Sequence, residues 1–419
     1  MEAKQKKLTQ TPSSLMRSIE DLVSLGSGEN FLRSSMLRIK DDEFEKILFV
    51  TDEKIWKNCR KFFPKNFEKN FAKFLLLKNP QADEKSLEKI SKNLKSCDFI
   101  VGFGSGTIND LCKFTSAKKN IPYAIFASAA SMNGYLSKNA SITISGHKKT
   151  LPATLPIKVF CDLRILSNAP LELTRAGIGD SLCFYSCWFD WYLSHKVLGT
   201  KFDGKIFEIQ KPKIDFLIKN YQKFSLKDEK FLKLLIEILL LSGAGMTSAG
   251  GSYPASQSEH MIAHTIEMKF PKIAKKLLHG QVIAVTTLTS SNLQKNSSSL
   301  TRSVEDLMSL ELPRSSKPAV SRMTSVEKEL VKFFGKKIAA QCFAEYEEKT
   351  SLLKKAKNLN QENWKELKKI HLSETTLKKI FTHFKIKTST KSIGLSSEQY
   401  QACINFAKFT RNRFTCLDF

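Results

Sequence analysis

The sequence predicts an α/β half followed by an all-α half, with the change near residues 165–170. Three observations predict it. Short apolar runs alternate with helical stretches over residues 44–165, the pattern of a parallel sheet with crossover helices. After Pro170 apolar residues recur at the helical period and strand-like runs stop. A chain of 419 residues, 42% of them hydrophobic, is long enough for two cores.

Residues 1–40 are polar and Ser-rich and read as an N-terminal extension. They hold half of an internal repeat. Residues 13–25 return at 298–310, with ten of thirteen positions identical. Leu15, Ile19 and Leu22 have helical spacing, so the unit reads as a short amphipathic segment. A docking motif and a duplicated insertion without function both fit it, and one pair is too few for a solenoid. The run 47–50 is a buried strand, with Asp52 at its end. Helices are expected over 54–78 and 84–95, then a strand over 98–101.

Next comes Gly102-Phe103-Gly104-Ser105-Gly106-Thr107-Ile108-Asn109-Asp110, leading into a helix at Leu111. Three glycines in five residues suggest a turn where backbone passes close to something. Glycine leaves no Cβ and permits positive φ, and the amides that open a helix can hold an anion. The spacing is not G-x-G-x-x-G, and a plain structural turn explains it as well. Further strands are expected at 123–126, 141–144 and 157–162. Helices follow at 171–195, 205–221, 227–243, 255–268, 273–289 and 326–345. The segment 291–325 is rich in Ser, Pro and basic residues and reads as an insertion or long loop.

Lys and Arg outnumber Asp and Glu by 67 to 41, a net charge of +26. Of the basic residues 56 are Lys and 11 are Arg, and the Lys are dispersed. Arg supplies most bidentate phosphate and base contacts, so its scarcity argues against specific nucleic-acid recognition. An anionic substrate is compatible with the charge. The nine cysteines are odd in number, form no C-x-x-C and lie partly in apolar runs, which suits buried thiols in a reducing compartment. Cys183 and Cys187 share a helix face, where core packing is the plainer reading than ligation. The N-terminus leads into no apolar h-region. The most apolar stretch, 231–241, is interrupted by Lys233 and Glu237 and is short for a bilayer. A cytoplasmic protein without a membrane span is expected.

Three places in the helical half hold candidate metal ligands. They are Asp180 in Gly177-Ile178-Gly179-Asp180, His260 and His264 in Ser258-Glu259-His260-Met261-Ile262-Ala263-His264, and His279 before Gly280. Residues four apart share a helix face, so His260 and His264 point the same way. One carboxylate and two imidazoles suit a divalent metal with positions left open. His279 as a helix cap, His260 and His264 as surface residues, and general acid–base roles are the alternatives.

The combination resembles the sn-glycerol-1-phosphate dehydrogenases. These stand within the group of iron-type alcohol dehydrogenases, glycerol dehydrogenase and dehydroquinate synthase. The matching stretches are Gly104 to Asp110, Ala130-Ser131-Met132-Asn133-Gly134-Tyr135, Gly146-His147-Lys148-Lys149-Thr150, Gly177 to Asp180, Ser258-Glu259-His260 with His264, and His279-Gly280. The C-terminal Arg411-Asn412-Arg413-Phe414-Thr415-Cys416-Leu417-Asp418 resembles the end of bacterial members.

The resemblance implies an α/β dinucleotide-binding domain over 41–168 and an all-α metal- and substrate-binding domain over 169–419, in a dehydroquinate synthase-like fold. It implies that Gly106, Thr107, Ile108, Asn109 and Asp110 line the dinucleotide pyrophosphate, with Ser128, Ala129, Ala130, Ser131 and Ser137 also at the cofactor. Asp52 would accept from the adenosine ribose. A carboxylate there repels a 2′-phosphate, favouring NAD while leaving NADP open; a helix cap is the other reading of Asp52. Asp180, His260 and His279 would hold one divalent metal, Zn, Ni or Fe, with His264 beside the substrate.

The implied reaction interconverts dihydroxyacetone phosphate and sn-glycerol 1-phosphate in a homo-oligomer. Asn133 stands where most of the family has a substrate-touching Asp, so a related polyol- or sugar-phosphate dehydrogenase, or a cyclase, is an alternative. A catalytically weak basic scaffold is another. His147, Lys148 and Lys149 are candidates for an anionic group or a solvated basic loop.

Overall fold

The computed structural model describes residues 19–40, 44–144, 147–297, 325–354 and 356–419. They form two compact units: Met1–Ser181 with Glu208–Ser252, and Leu182–Phe207 with Tyr253–Phe419.

The first unit holds β1 (Val23–Gly26), α1 (Glu29–Lys40), β2 (Ile47–Asp52), α2 (Glu53–Cys59), β3 (Lys73–Leu77), α3 (Glu84–Asn93), β4 (Phe99–Gly104) and α4 (Gly106–Lys119). It continues through β5 (Tyr123–Ala127), β6 (Asn139–Ile144), β7 (His147–Pro152), β8 (Lys158–Asp162), α5 (Leu163–Asn168) and α6 (Leu171–Leu182). After α7 (Phe184–Leu198), which belongs to the second unit, come α8 (Lys205–Asn220) and α9 (Glu229–Ala249).

Six strands make one parallel sheet in the order β1-β8-β5-β4-β2-β3. Parallel strands are covered on both faces, and β4, β5 and the first four residues of β2 are accordingly mostly apolar and buried. The core beneath them is aromatic: Phe49 stacks on Phe74 with centroids 4.7 Å apart, and Trp56, Phe63, Phe67 and Phe103 surround the pair. β2 feeds forward to β3 on one side, and β4 feeds to β5 on the other. The strand order therefore reverses between β2 and β4. In open α/β sheets that reversal leaves a crevice at the carboxyl ends of the strands, where ligands bind.

The parallel α/β half stands as expected, and several of its elements differ. The helix expected over 54–78 ends at Cys59, and β3 occupies its last part, pairing Phe74 with Phe49. A run such as Phe74-Leu75-Leu76-Leu77 suits either element by periodicity, and an open sheet edge decides it. Residues 19–40 are not an appendage. Val23–Gly26 pairs with β8, and α1 buries Leu32 and Ile39. In the first repeat copy, residues 19–22 are helical and the rest is strand; residues 13–18 and the copy at 298–310 lie outside the described residues. The glycine-rich stretch is mostly strand, because β4 runs through Gly104 and α4 starts at Gly106. The basic loop at 147–149 is the start of β7, which forms an antiparallel hairpin with β6.

α9 is 21 residues long, longer than the apolar run expected at 231–241, because Ser242, Gly243 and Thr247 extend it. It is the one described helix long and apolar enough to cross a membrane, and 78% of its apolar window is buried, as in the core helix of a folded domain.

The second unit is helical among its described residues. With α7 it comprises α10 (Ser258–Lys269), α11 (Pro271–Ala274), α12 (His279–Ser297), α13 (Ser325–Phe334), α14 (Lys336–Leu353), α15 (Gln361–Ile370), α16 (Glu374–His383) and α17 (Ser397–Ala407). The helix expected over 326–345 is broken by Gly335 at φ +82°, a conformation open to glycine. α12 runs to Ser297, so the start of the expected insertion is helical; its residues 298–324 lie outside the described ones. Met261, Ile262, Ile266, Ile283 and Val285 of α10 and α12 share a core with Cys183, Cys187 and Tyr400.

Candidate active site

In the first unit the candidate residues gather at the carboxyl ends of β2 and β4. Asp52 closes β2 and caps α2, with Oδ1 accepting from the Lys54 N–H at 2.7 Å. Gly104 closes β4. A Cβ there would lie 2.5 Å from the Ile108 Cβ, so glycine is required for α4 to pack against its strand. None of Gly102, Gly104 and Gly106 has positive φ; close approach, not turn geometry, accounts for them. At Gly106 a Cβ would meet only Met132, at 3.7 Å. The fold does not need glycine there, and its bare backbone leaves the start of α4 open. Ser105 makes no side-chain cap. A 14-residue helix with an open, uncapped N-terminus suits a phosphate.

The side chains behind this helix start are engaged in the fold. Ile108 packs on Gly104, and Asp110 Oδ2 accepts from the Ser141 N–H at 3.0 Å, tying down β6. Asn109 is fully buried; its amide nitrogen reaches the Gly134 carbonyl at 3.4 Å, and its Oδ1 has no partner among the described residues. Ser128 donates its N–H to the Gly104 carbonyl, and Ser137 Oγ accepts from the Asn139 N–H. Ala129 and Ala130 are buried, and Ser131 is nearly so. Gly177 lets α6 come against the Ala130 carbonyl, which would sit 2.0 Å from a Cβ. That approach brings Asp180 to Asn133: the Asn133 N–H donates to Asp180 Oδ2 at 2.9 Å, and its Nδ2 donates to Ser242 Oγ at 3.2 Å.

Lys113 is a residue that the motif reading passed over. It is fully buried, and its ammonium donates to the carbonyls of Gly134 and Asn139 at 2.5 and 3.1 Å. Burial pushes it down to about 8, against the opposing charge of Asp110. The sequence signal was its place one helical turn after Asp110.

In the second unit the three histidines come together. His260 and His264 share one face of α10, and His279 opens α12. Ring centroids are 5.1 Å apart for His260 and His279, 6.2 Å for His260 and His264, and 6.3 Å for His264 and His279. His264 Nδ1 lies 2.9 Å from Glu267 Oε2. Burial and the Arg411 charge push His264 down to about 3, keeping it a neutral imidazole. His260 Nδ1 lies 2.8 Å from Glu259 Oε1. That contact engages Nδ1, an arrangement also seen where a carboxylate backs a histidine that could hold a metal through its other ring nitrogen.

Glu259 is wholly buried. Burial would raise it, but the His260 hydrogen bond and charge, the Gln257 N–H and the Cys187 thiol outweigh that and hold it at about 2. Cys183 and Cys187 lie beside Glu259 and His260, with ligand atoms within 4.8 Å of one another. Burial holds the Cys187 thiol protonated, as a donor to Glu259 at 3.1 Å. Cys187 thus supports the carboxylate. Glu259 stood inside a quoted motif, yet only packing reveals its role. The donor set fits a divalent metal: ring nitrogens of His260 and His279 lie within 4.8 Å of each other, and a buried carboxylate backs His260.

Residues 14–170 match the sequence pattern of the iron-containing alcohol dehydrogenase family. The chain is 33% identical over 229 residues to glycerol-1-phosphate dehydrogenase [NAD(P)+] of Thermococcus sibiricus, covering 54% of this chain and 65% of that one. It is 31% identical over 208 residues to the Geobacillus thermodenitrificans enzyme of the same name, covering 49% and 52%. The chain thus spans between half and two thirds of the length of these relatives. Among solved structures, sulfoacetaldehyde reductase of Bifidobacterium kashiwanohense, in complex with NAD+, superposes with a TM-score of 0.58 at 12% identity, over 92% of this chain and 90% of that one. Over residues 14–170 the sequence is thus similar to the iron-containing alcohol dehydrogenase family, and along the chain the fold is similar to that of the reductase.

Proposed function

We propose that the protein is a metal-dependent, NAD(P)-linked dehydrogenase interconverting dihydroxyacetone phosphate and sn-glycerol 1-phosphate. The observation that carries the reading is the gathering of His260, His264 and His279, in a chain that over about half its length (208–229 residues) is 31–33% identical to named glycerol-1-phosphate dehydrogenases. Asp180, His260 and His279 hold a divalent ion. When bound, the ion polarises the ketone carbonyl and the nicotinamide cofactor supplies the hydride.

The chain's own residues position the reactants. The amides that open α4, at Gly106 and Thr107, receive the pyrophosphate. Asp52 accepts from the adenosine ribose beside its bond to Lys54. Ser128 to Ser131 and Ser137 line the rest of the dinucleotide path. Asn133 orients the Asp180 carboxylate through its N–H. His264, neutral, faces the substrate from one turn beyond His260.

The test is dihydroxyacetone phosphate-dependent oxidation of NADH and NADPH, with and without EDTA and with added Zn²⁺, Ni²⁺ or Fe²⁺. Turnover that EDTA abolishes and a metal restores is expected. No turnover with any metal and either cofactor overturns the proposal. Asn133 favours a second reading, a related polyol or sugar phosphate, because an amide replaces the carboxylate usual in the family. A screen of such substrates separates the two.

A further inference from the structure

Two thiols, a carboxylate and an imidazole of the second unit lie together in its interior. Cys183 and Cys187 are one helical turn apart at the start of α7, with the Cys187 N–H donating to the Cys183 carbonyl at 2.8 Å. Glu259 and His260 stand in the first turn of α10. All four are buried, Cys187 and Glu259 wholly so. One ligand atom of each lies within 4.8 Å of the other three. The two sulfurs are 3.9 Å apart, Cys187 Sγ is 3.1 Å from Glu259 Oε1, and that oxygen is 2.8 Å from His260 Nδ1. The bond lengths of tetrahedral zinc put its sulfur, nitrogen and oxygen ligands about 3.3–3.8 Å from one another. Closing the four atoms around such an ion takes shifts of no more than about 1 Å.

The surroundings hold these groups as an outer shell holds metal ligands. The Ser186 hydroxyl donates to Glu259 Oε2 at 2.8 Å, and the Gln257 N–H donates to Oε1 at 2.8 Å. Gln294 Nε2 donates in turn to Ser186 Oγ at 3.2 Å, so the serine proton is turned toward the carboxylate. Such partners fix the direction in which a ligating carboxylate points. The donor set itself is selective. Two sulfurs, one nitrogen and one oxygen in a tetrahedral arrangement suit zinc and its thiophilic analogues, and suit magnesium or calcium poorly. The charges also match. Two thiolates and one carboxylate carry one negative charge more than a divalent ion, and the charge of Arg413 reaches both Cys187 and Glu259.

We propose that Cys183, Cys187, Glu259 and His260 form a second cation site, for a thiophilic divalent ion of the zinc and cadmium class. Binding breaks two S–H bonds and forms two S–metal bonds; both protons leave to solvent, and no electron changes hands. The site does not rest on the dehydrogenase reading. It shares His260 with the ligand set proposed there, and the test separates the two sets through the residues they do not share.

Cd²⁺ is titrated into the full-length protein, kept reduced and treated with EDTA beforehand. Binding is followed by the ultraviolet thiolate-to-cadmium charge-transfer band and by competition with a chromophoric chelator. The band is expected in the wild type. Cys183→Ser and Cys187→Ser keep a polar hydrogen in place of the thiol and are expected to lose the band. Cd²⁺ affinity at the site is expected to fall more than about 100-fold in each, beyond the usual loss for an outer-shell partner. Asp180→Ala and His279→Ala remove the other ligand set and are expected to keep the band. So is Cys342→Ser, which removes a buried thiol outside the four. Cys183→Ala carries the test if the Ser variants do not fold.

A wild type without the band overturns the proposal. So does a band that survives in Cys183→Ser or Cys183→Ala, or one that is lost in Cys342→Ser instead. If the band behaves as expected but dihydroxyacetone phosphate is not turned over with any metal, the thiolate site stands and the dehydrogenase reading falls. Turnover without the band gives the reverse.

Discussion

Glu259 and Lys113 are buried charges whose partners differ, and each makes a measurable demand. Glu259 accepts from Ser186, Cys187, the Gln257 backbone and His260, so its carboxylate is satisfied on all sides. Glu259→Gln keeps the shape and removes the charge behind His260. Metal affinity is expected to weaken about 10- to 100-fold, the usual loss for such a supporting carboxylate. Competition with a chromophoric chelator measures it; unchanged affinity would remove Glu259 from the site. For Lys113 the sign is fixed by its lowered value of about 8 against an ordinary 10.5. Between those values the unfolded chain binds the proton and the folded chain does not, so the Lys113 contribution rises with pH; below 8 the cost of burial is present in full. The stability of wild type relative to Lys113→Met is expected to rise by about 3 kcal/mol from pH 8 to 10.5. Urea melts across that window read it, and a flat difference would mean that Lys113 is not desolvated.

At the scale of elements, the contact between β4 and α4 governs the candidate cofactor seat. Ile108 lies where a Gly104 Cβ would go, so Gly104→Ala must push α4 off the sheet. A loss of about 1–3 kcal/mol is expected, as for other overpacked sites, together with a raised KM for NADH. A melt within about 0.5 kcal/mol of wild type would show that α4 shifts without cost. The paired histidines of α10 were legible from their four-residue spacing, since helical period is local. β3 and β7 were not. Phe74 to Leu77 and the segment from His147 carry no period that excludes helix or loop; β3 is decided by pairing with β2 some 25 residues earlier, and β7 by the hairpin it forms with its neighbour β6.

For the whole molecule, the proposed metal ligands are Asp180, His260 and His279. A metal bound by all three stabilises the folded state by mass action, by about 2.7 kcal/mol at a hundredfold excess over Kd. Calorimetry with and without Zn²⁺ is expected to show a raised Tm. Asp180→Ala and His260→Ala should each lose both the shift and the bound metal seen by elemental analysis. Metal retained in either variant would break the ligand assignment.

The sequence by itself determined the parallel α/β half, the helical remainder, the buried strands β2, β4 and β5, and the shared face of His260 and His264. Each of these is written in apolar runs or periods only a few residues long. Only the tertiary structure decided that residues 23–26 complete the sheet and that Gly104 serves packing and not a turn. It alone set Glu259 behind His260, and it alone brought Arg411 and Arg413 to Ser256, some 155 residues away in the chain. Those outcomes depend on which distant surfaces meet, and the burial that gives each polar group its partner exists only once the chain has packed.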